Sequence, residues 1–228
     1  MKNLLLCITA LIFLISCSSD SDFDKSGNGK KQFLETNISE FPANNTNPYD
    51  SIGKEFYKSL NLYYVEKQFP NSISEISNQI NFVSSTFTKN SNTSKLIVFN
   101  DEIVEAIMSD PDNIMISIVQ NSSLGTSAKA NLITFLQNLI IQRQEEFNVV
   151  YDFIISYEST VVNNNVLSDD EKETLLSVTS ISRYSLYSES ERKDRDWEKN
   201  VGSKTAKPFF AQNQASLVSL IALLGKFL

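Results

Sequence analysis

The sequence predicts an all-α fold: a single-domain multi-helix bundle behind a signal peptide and a flexible tether. Apolar residues recur at steps of three and four over most of the chain after residue 47, which is the spacing of one helix face. Residues suited to cap a helix precede several of these stretches. The one short β-branched run, "KLIVF" at 95–99, would be a strand without a partner, so we expect it to lead into a helix.

The first two helices are predicted on either side of a Phe-Pro-Asn break at 69–71. Before this break the apolar spacing begins at Ile52, and either Asp50 or Ser51 is suited to cap the helix. After it, a second apolar stripe runs through 73–87. An antiparallel helix pair is therefore expected at the start of the domain.

Caps and apolar spacing in the middle of the chain predict two short helices followed by a long one. Asn100 and Asp101 are good caps for a helix over 101–108, and Pro111 suits the first turn of a helix that ends at Val119. Between 127 and 163 the apolar residues form one continuous seam, which predicts a single long helix.

Arg143 stands in that seam where an apolar residue is expected. One interpretation is that its side chain extends to solvent or pairs with an acid on a neighbouring helix. The alternative is that Arg143 is a buried polar anchor for a ligand.

The last predicted helices follow the asparagine run at 163–165. Ser168 and Glu171 have the spacing of a capping box, and this position favours a structural role for the acids of 169–171 over a calcium site. The helix is expected to give way to a solvated helix end or loop in the charge run at 189–199. The apolar stretch 215–228 is too short to span a bilayer and is predicted to be a core helix.

The N-terminus has the features of a secretory signal. Twelve residues without a charge, 4–15, are too few for a membrane span, and the Leu-Ile-Ser-Cys ending at Cys17 resembles the bacterial lipoprotein signal. This resemblance implies cleavage before Cys17 and its modification with fatty acyl chains such as palmitate, which together hold a protein on a membrane. The predicted segments are a signal peptide at 1–16, the lipidated Cys17 and a disordered tether at 17–46, and a helical domain at 47–228.

The acidic and serine-rich residues 18–22, directly after Cys17, resemble the export signal of Bacteroidota lipoproteins displayed on the cell surface. We therefore expect a lipid-anchored protein of the outer membrane that faces the cell surface. A protein that faces the periplasm is the alternative, because an ordinary solvated linker has a similar composition.

Composition excludes several classes of function. The formal net charge is −7, and it becomes one unit more negative when Lys2 leaves with the signal, which argues against a nucleic-acid partner.

The chain contains no histidine and two cysteines, of which Cys7 lies in the signal and Cys17 is the predicted lipid site. Imidazole catalysis, thiol catalysis and zinc thiolate sites are thereby excluded. The six glycines form no phosphate-binding loop. We expect no enzyme activity, no cofactor and no metal site.

Asp50-Ser51-Ile52 resembles the three-residue O-glycosylation sequon of Bacteroidota, in which Ser51 would carry the glycan. The same serine side chain is also suited to cap the first helix.

A wider resemblance rests on three groups of residues. These are Asn-Pro-Tyr-Asp at 47–50 with Gly53, then Leu-Ser at 167–168 with Glu-Lys at 171–172, and then Arg-Tyr-Ser at 183–185. In this order they resemble small helical lipoproteins of Bacteroidota of uncharacterised function, over residues 47–197. The resemblance implies a helical fold and an envelope location.

The sequence thus predicts a non-catalytic binding or envelope-interaction module whose ligand is a protein or a small molecule. A carboxylate-dependent hydrolase is one alternative, which a pocket that gathers two acids from different helices within about 10 Å would favour. An immunity or inhibitor lipoprotein that binds a toxin through an acidic face is the other.

Overall fold

The computed structural model describes residues 42–67, 69–70, 72–87 and 100–200, with backbone only for 66, 86–87 and 193–200. These residues form seven helices and no strand, which confirms the predicted all-α fold. The helices are α1 (Asp50–Glu66), α2 (Ile73–Phe87), α3 (Asp101–Ser109), α4 (Pro111–Gln120), α5 (Thr126–Gln142), α6 (Phe147–Val162) and α7 (Asp169–Asn200).

Each helix contacts the one that follows it in the chain, and α7 also packs on α1 and α5. The apolar faces of all seven helices meet in one core, in which Phe56, Ile80, Leu132, Ile154 and Leu175 are among the fully buried side chains. Burial of these faces, more than intrinsic helix propensity, stabilises helices as short as α3 and α4.

The middle of α7 is buried on every side, because all residues from 175 to 185 are inaccessible to solvent. Small side chains make this possible: four of the eleven are serines, and Ser182 Oγ donates a hydrogen bond to the Val178 carbonyl at 2.8 Å. At the crossing with α1, a Cβ atom on Gly53 would lie 2.3 Å from Oγ of Ser180, so only glycine fits there.

The prediction of one helix over 127–163 was wrong. The chain leaves the helix after Gln142, and α6 begins at Phe147 with Glu146 in an extended conformation as its N-cap. None of the residues 143–146 is glycine or proline, so local propensity does not account for the break. Folding back brings the apolar stripes of both α5 and α6 onto α7, which one straight helix could not do.

The predicted caps are confirmed at two helices and wrong at a third. Asn100 Oδ1 accepts from the Ile103 N–H, and Ser168 and Glu171 form the capping box. At α1, however, Tyr49 is the N-cap and makes no capping bond with its side chain. The Asp50 carboxylate is instead held by a buried arginine, as described below.

Two boundaries differ from those expected. The helix α7 continues through the charge run to Asn200. Ordered contacts already begin before residue 47, since Pro42 is buried and Tyr151 Oη donates to the Ala43 carbonyl at 2.9 Å.

Several predictions concern residues outside the described ranges: the lipid on Cys17, the run at 95–99 and the apolar stretch 215–228. Across the ranges that are described, no helix has both the length and the apolar character needed to cross a bilayer.

Candidate functional site

Two charged residues with no solvent exposure, Arg183 in α7 and Glu158 in α6, are at the centre of one cluster. The Nη2 atom of Arg183 lies 2.5 Å from Oδ1 of Asp50, the first residue of α1, and 3.2 Å from Oε1 of Glu158. Its Nη1 atom donates to the Pro42 carbonyl. Arg183 therefore connects three helices and the segment that precedes them.

Glu158 is 0 % exposed, and uncharged donors complete its hydrogen bonding. Its Oε1 accepts from Asn47 Nδ2 at 2.8 Å and from Thr179 Oγ1 at 2.9 Å, while Oε2 accepts from Asn44 Nδ2 at 2.5 Å. A buried carboxylate needs such partners, because each unpaired oxygen would carry the full cost of desolvation. The two asparagines also fix residues 42–49 against α6 and α7.

Tyr184 adds a hydroxyl to the cluster, which it donates to Oδ2 of Asp50 at 3.1 Å. Burial and the adjacent Asp50 carboxylate raise the pKa of Tyr184, so the phenol remains a neutral donor. Asn47, Asp50, Arg183 and Tyr184 all belong to the motifs that carry the family resemblance. These motifs, which are up to 137 positions apart in the sequence, meet in one place.

Asp50 and Glu158 come from different helices, and both carboxylates bond Nη2 of Arg183. They therefore lie within the separation of about 10 Å expected of a catalytic pair. The centre of the cluster is closed, however. Glu158 and Arg183 have no exposed surface, and 17 % of the Asp50 side chain is exposed. A substrate has no access to Glu158, and we assign the cluster a structural role.

Arg143 lies at the C-terminal end of α5 and lines a pocket of about 570 Å³. The pocket is bounded by the α5–α6 connection and by α7. The Nε and Nη1 atoms of Arg143 are buried, and neither has a hydrogen-bond partner among the described residues. Buried guanidinium nitrogens without a partner are unfavourable, so an anionic group bound here would be stabilised by charge-assisted hydrogen bonds.

Acidic and aromatic side chains form the rest of this pocket. Glu145, Glu146 and Glu189 line it together with Arg143, so carboxylates outnumber the one guanidinium. Two aromatic residues, Phe147 and Tyr187, also contribute, with ring centroids 5.3 Å apart. The pocket therefore offers one guanidinium that can bind an anion, three carboxylates that can bind a cation, and an apolar wall.

Ser51, another predicted site residue, does not line the pocket. Ser51 is exposed in the first turn of α1, and Cys17 lies outside the described residues. Within the described ranges, no three His, Cys, Asp or Glu side chains are grouped to hold a metal ion.

Sequence reasoning missed the ion pairs of the core. A signal for them exists, because Glu158 interrupts the buried stripe formed by Ile154 and Val161, and Arg183 interrupts the one formed by Ile181 and Tyr184. Two opposite charges on buried faces of different helices are expected to pair.

No protein-family model, curated protein or solved structure matches this chain.

Proposed function

We propose that this protein is a non-catalytic binding module, anchored in the outer membrane by a lipid on Cys17 and displayed at the cell surface. The pocket at Arg143 takes a small zwitterionic ligand, one that carries a carboxylate beside an ammonium group. An amino acid or the end of a peptide has this chemistry. The observation that carries the proposal is the pair of buried guanidinium nitrogens at the wall of this pocket, which have no hydrogen-bond partner among the described residues.

The charges of the pocket decide between kinds of ligand. A simple anion would bond Arg143 but would also meet the carboxylates of Glu145, Glu146 and Glu189, which repel it. A simple cation would leave the guanidinium unpaired. A zwitterion satisfies both charges, and an apolar side chain on it would contact Phe147 and Tyr187.

Calorimetric titration of the detergent-solubilised protein tests the ligand class. The probes are the twenty standard amino acids and dialanine, with acetate and ethylamine as the separate anion and cation. We expect saturable binding of at least one zwitterion and much weaker binding of acetate and ethylamine. Arg143→Gln removes the charge-assisted bonds and should weaken binding about tenfold or more. Lys58→Gln, which removes an exposed cation of α1, should leave affinity unchanged. Equal affinity in the Arg143 variant, or no binding by any zwitterion, contradicts the proposed ligand.

The anchor is tested separately. Cys17→Ser should move the protein from the membrane fraction to the soluble fraction and abolish labelling by radioactive palmitate. Protease treatment of intact cells then separates the two faces of the membrane, because a surface protein is cleaved and a periplasmic one is protected. Retention of Cys17→Ser on membranes contradicts the lipid anchor.

A further inference from the structure

A second cleft, of about 370 Å³, lies between α5 and α6 and shares no lining residue with the pocket at Arg143. None of its nine lining residues carries a charge. Its volume falls within the range of roughly 300 to 1,000 Å³ that is typical of small-molecule sites.

Three aromatic rings form one part of this cleft. Phe135 stacks on Phe153 with ring centroids 5.6 Å apart and planes 3° from parallel, and it stacks on Tyr157 at 4.4 Å and 26°. Phe135 is buried, whereas Phe153 and Tyr157 are partly exposed. The face of an aromatic ring carries partial negative charge, so it attracts polarised C–H groups such as those on the apolar face of a pyranose ring.

Uncharged polar side chains also line the cleft: Ser127 and four whose hydrogen bonds are known, namely Asn131, Thr134, Asn138 and Thr160. Each of these four donates one hydrogen bond to a carbonyl of its own helix, at 3.0, 2.9, 2.8 and 2.7 Å respectively. Both amides retain their carbonyl oxygen and a second N–H, and both hydroxyls retain acceptor lone pairs. The cleft thus presents neutral donors and acceptors together.

Tyr157 supplies a hydrogen-bond donor to this cleft. Its hydroxyl is buried and has no hydrogen-bond partner among the described residues. Burial raises the pKa of Tyr157, so the hydroxyl keeps its proton. A buried hydroxyl without an acceptor is unfavourable, and a ligand oxygen in the cleft would complete it.

From these observations we infer that the cleft between α5 and α6 is a binding site for an uncharged saccharide. A sugar ring combines an apolar face for Phe153 and Tyr157 with hydroxyls that both donate and accept. A phosphate or carboxylate would find no cation in the lining, and a purely apolar ligand would leave the Tyr157 hydroxyl unpaired. The inference does not depend on the pocket at Arg143.

The test uses the full-length lipidated protein in a detergent without a sugar headgroup, titrated calorimetrically with maltohexaose, cellohexaose and chitohexaose. We expect at least one of them to bind with a Kd of about 1 mM or tighter. Tyr157→Phe deletes only the hydroxyl and should weaken binding about two- to tenfold, the loss of one hydrogen bond. Phe153→Leu should also weaken binding, because it removes an aromatic face.

Tyr151→Phe is the matched control. Its hydroxyl donates to the Ala43 carbonyl at 2.9 Å, and Tyr151 does not line the cleft, so its loss should lower the Tm and leave saccharide affinity unchanged. Tyr157→Phe should keep or raise the Tm, since the deleted hydroxyl bonds no group in the described part of the chain. Arg143→Gln should bind saccharide as the native protein does, which separates this site from the amino-acid pocket.

Four results would overturn the inference. The first three are no saturable binding by any of the three oligosaccharides, unchanged affinity in both Tyr157→Phe and Phe153→Leu, and binding of adenosine, titrated in parallel as an uncharged aromatic probe, in place of saccharide. A loss of affinity in Tyr151→Phe equal to that in Tyr157→Phe would also overturn it, because the effect would then not be local to the cleft.

Discussion

Arg183 and Glu158 form an ion pair with no solvent exposure on either side chain, with Nη2 of the arginine 3.2 Å from Oε1 of the glutamate. Taking such charges out of water costs several kcal/mol for each, and the pair is tolerated because Asn47, Asn44 and Thr179 complete the hydrogen bonds of Glu158. The geometry depends on α6, α7 and the segment before α1 being correctly placed at the same time. The cluster thus contributes to the specificity of the fold.

Arg183→Met should lower the free energy of unfolding by about 3 to 5 kcal/mol, because it leaves the buried carboxylate of Glu158 and the partly exposed one of Asp50 without a cation. Methionine keeps much of the side-chain volume, so the loss reports the charge more than the packing. Urea unfolding followed by circular dichroism measures the change.

The control for this prediction is a double variant. Glu158→Gln added to Arg183→Met removes the more buried of the orphaned carboxylates, so the double variant should be more stable than the sum of the two single losses predicts. Lys58→Met, on the exposed face of α1, should change stability by less than about 0.5 kcal/mol. Strict additivity of the two core substitutions would contradict an energetic coupling between Arg183 and Glu158.

How much of the structure the sequence predicts depends on how far apart in the chain the interacting residues are. The helix starts at Asn100 and Ser168 were predictable, because each cap bonds a residue three positions along the chain. The break at 143–146 was not, because it is imposed by the packing of α5 and α6 on α7 and not by local propensity. The pairing of Arg183 with Asp50 joins residues 133 positions apart, so only the fold brings the two together.

The crossing of α1 and α7 at Gly53 allows a sharper stability test. An added Cβ would lie 2.3 Å from Oγ of Ser180, 2.5 Å from the Ser180 carbonyl oxygen and 2.5 Å from the Tyr184 ring. Two of these neighbours are a backbone atom and a buried ring that cannot move cheaply. Gly53→Ala should therefore destabilise the protein by about 1 to 3 kcal/mol, although alanine is the better helix former.

Gly125→Ala is the matched comparison. Its Cβ would meet only the carboxylate oxygen of Glu171 at 2.7 Å, the far end of a flexible side chain on the surface. Because that oxygen must shift, its hydrogen bond from the Gly125 N–H at 3.0 Å weakens, and we expect a loss of about 0.5 to 1 kcal/mol, smaller than that of Gly53→Ala. Thermal unfolding of both variants side by side measures the contrast, and a Gly53→Ala protein as stable as Gly125→Ala would show that the two helices can separate at this crossing without cost.

Glu171 makes the stability of the domain depend on pH in the acidic range. Its carboxylate accepts from the Ser168 N–H at 2.9 Å and from the Gly125 N–H at 3.0 Å, and these bonds lower the pKa of Glu171 from its ordinary value of 4.5. Because the pKa is lowered in the folded protein, the stabilisation is present above pH 4.5 and is lost as the pH falls through the lowered pKa.

Glu171→Gln should accordingly be less stable than the native protein at pH 7, and the difference should shrink as the pH falls below 4.5. Urea unfolding between neutral and acidic pH measures it. Glu55→Gln, an exposed carboxylate in α1, serves as the control and should follow the native curve. A constant difference between Glu171→Gln and the native protein at every pH would contradict the role of the ionised carboxylate.

Tyr57 should make the stability of the domain fall as the pH rises in the alkaline range. Its hydroxyl donates to Oε2 of Glu191 at 2.5 Å, and burial together with this carboxylate raises the pKa of Tyr57 from 10.0 to about 12. A raised pKa means that the stabilisation is full below pH 10 and is lost as the pH rises through 12.

Unfolding by urea between these pH values should show native stability falling more steeply than that of Tyr57→Phe, which has no proton to lose at this position. Glu191→Gln removes the negative charge beside the phenol and should move the titration of Tyr57 to lower pH, as read from tyrosinate absorbance. Equal slopes in the native protein and Tyr57→Phe would show that other groups govern alkaline unfolding.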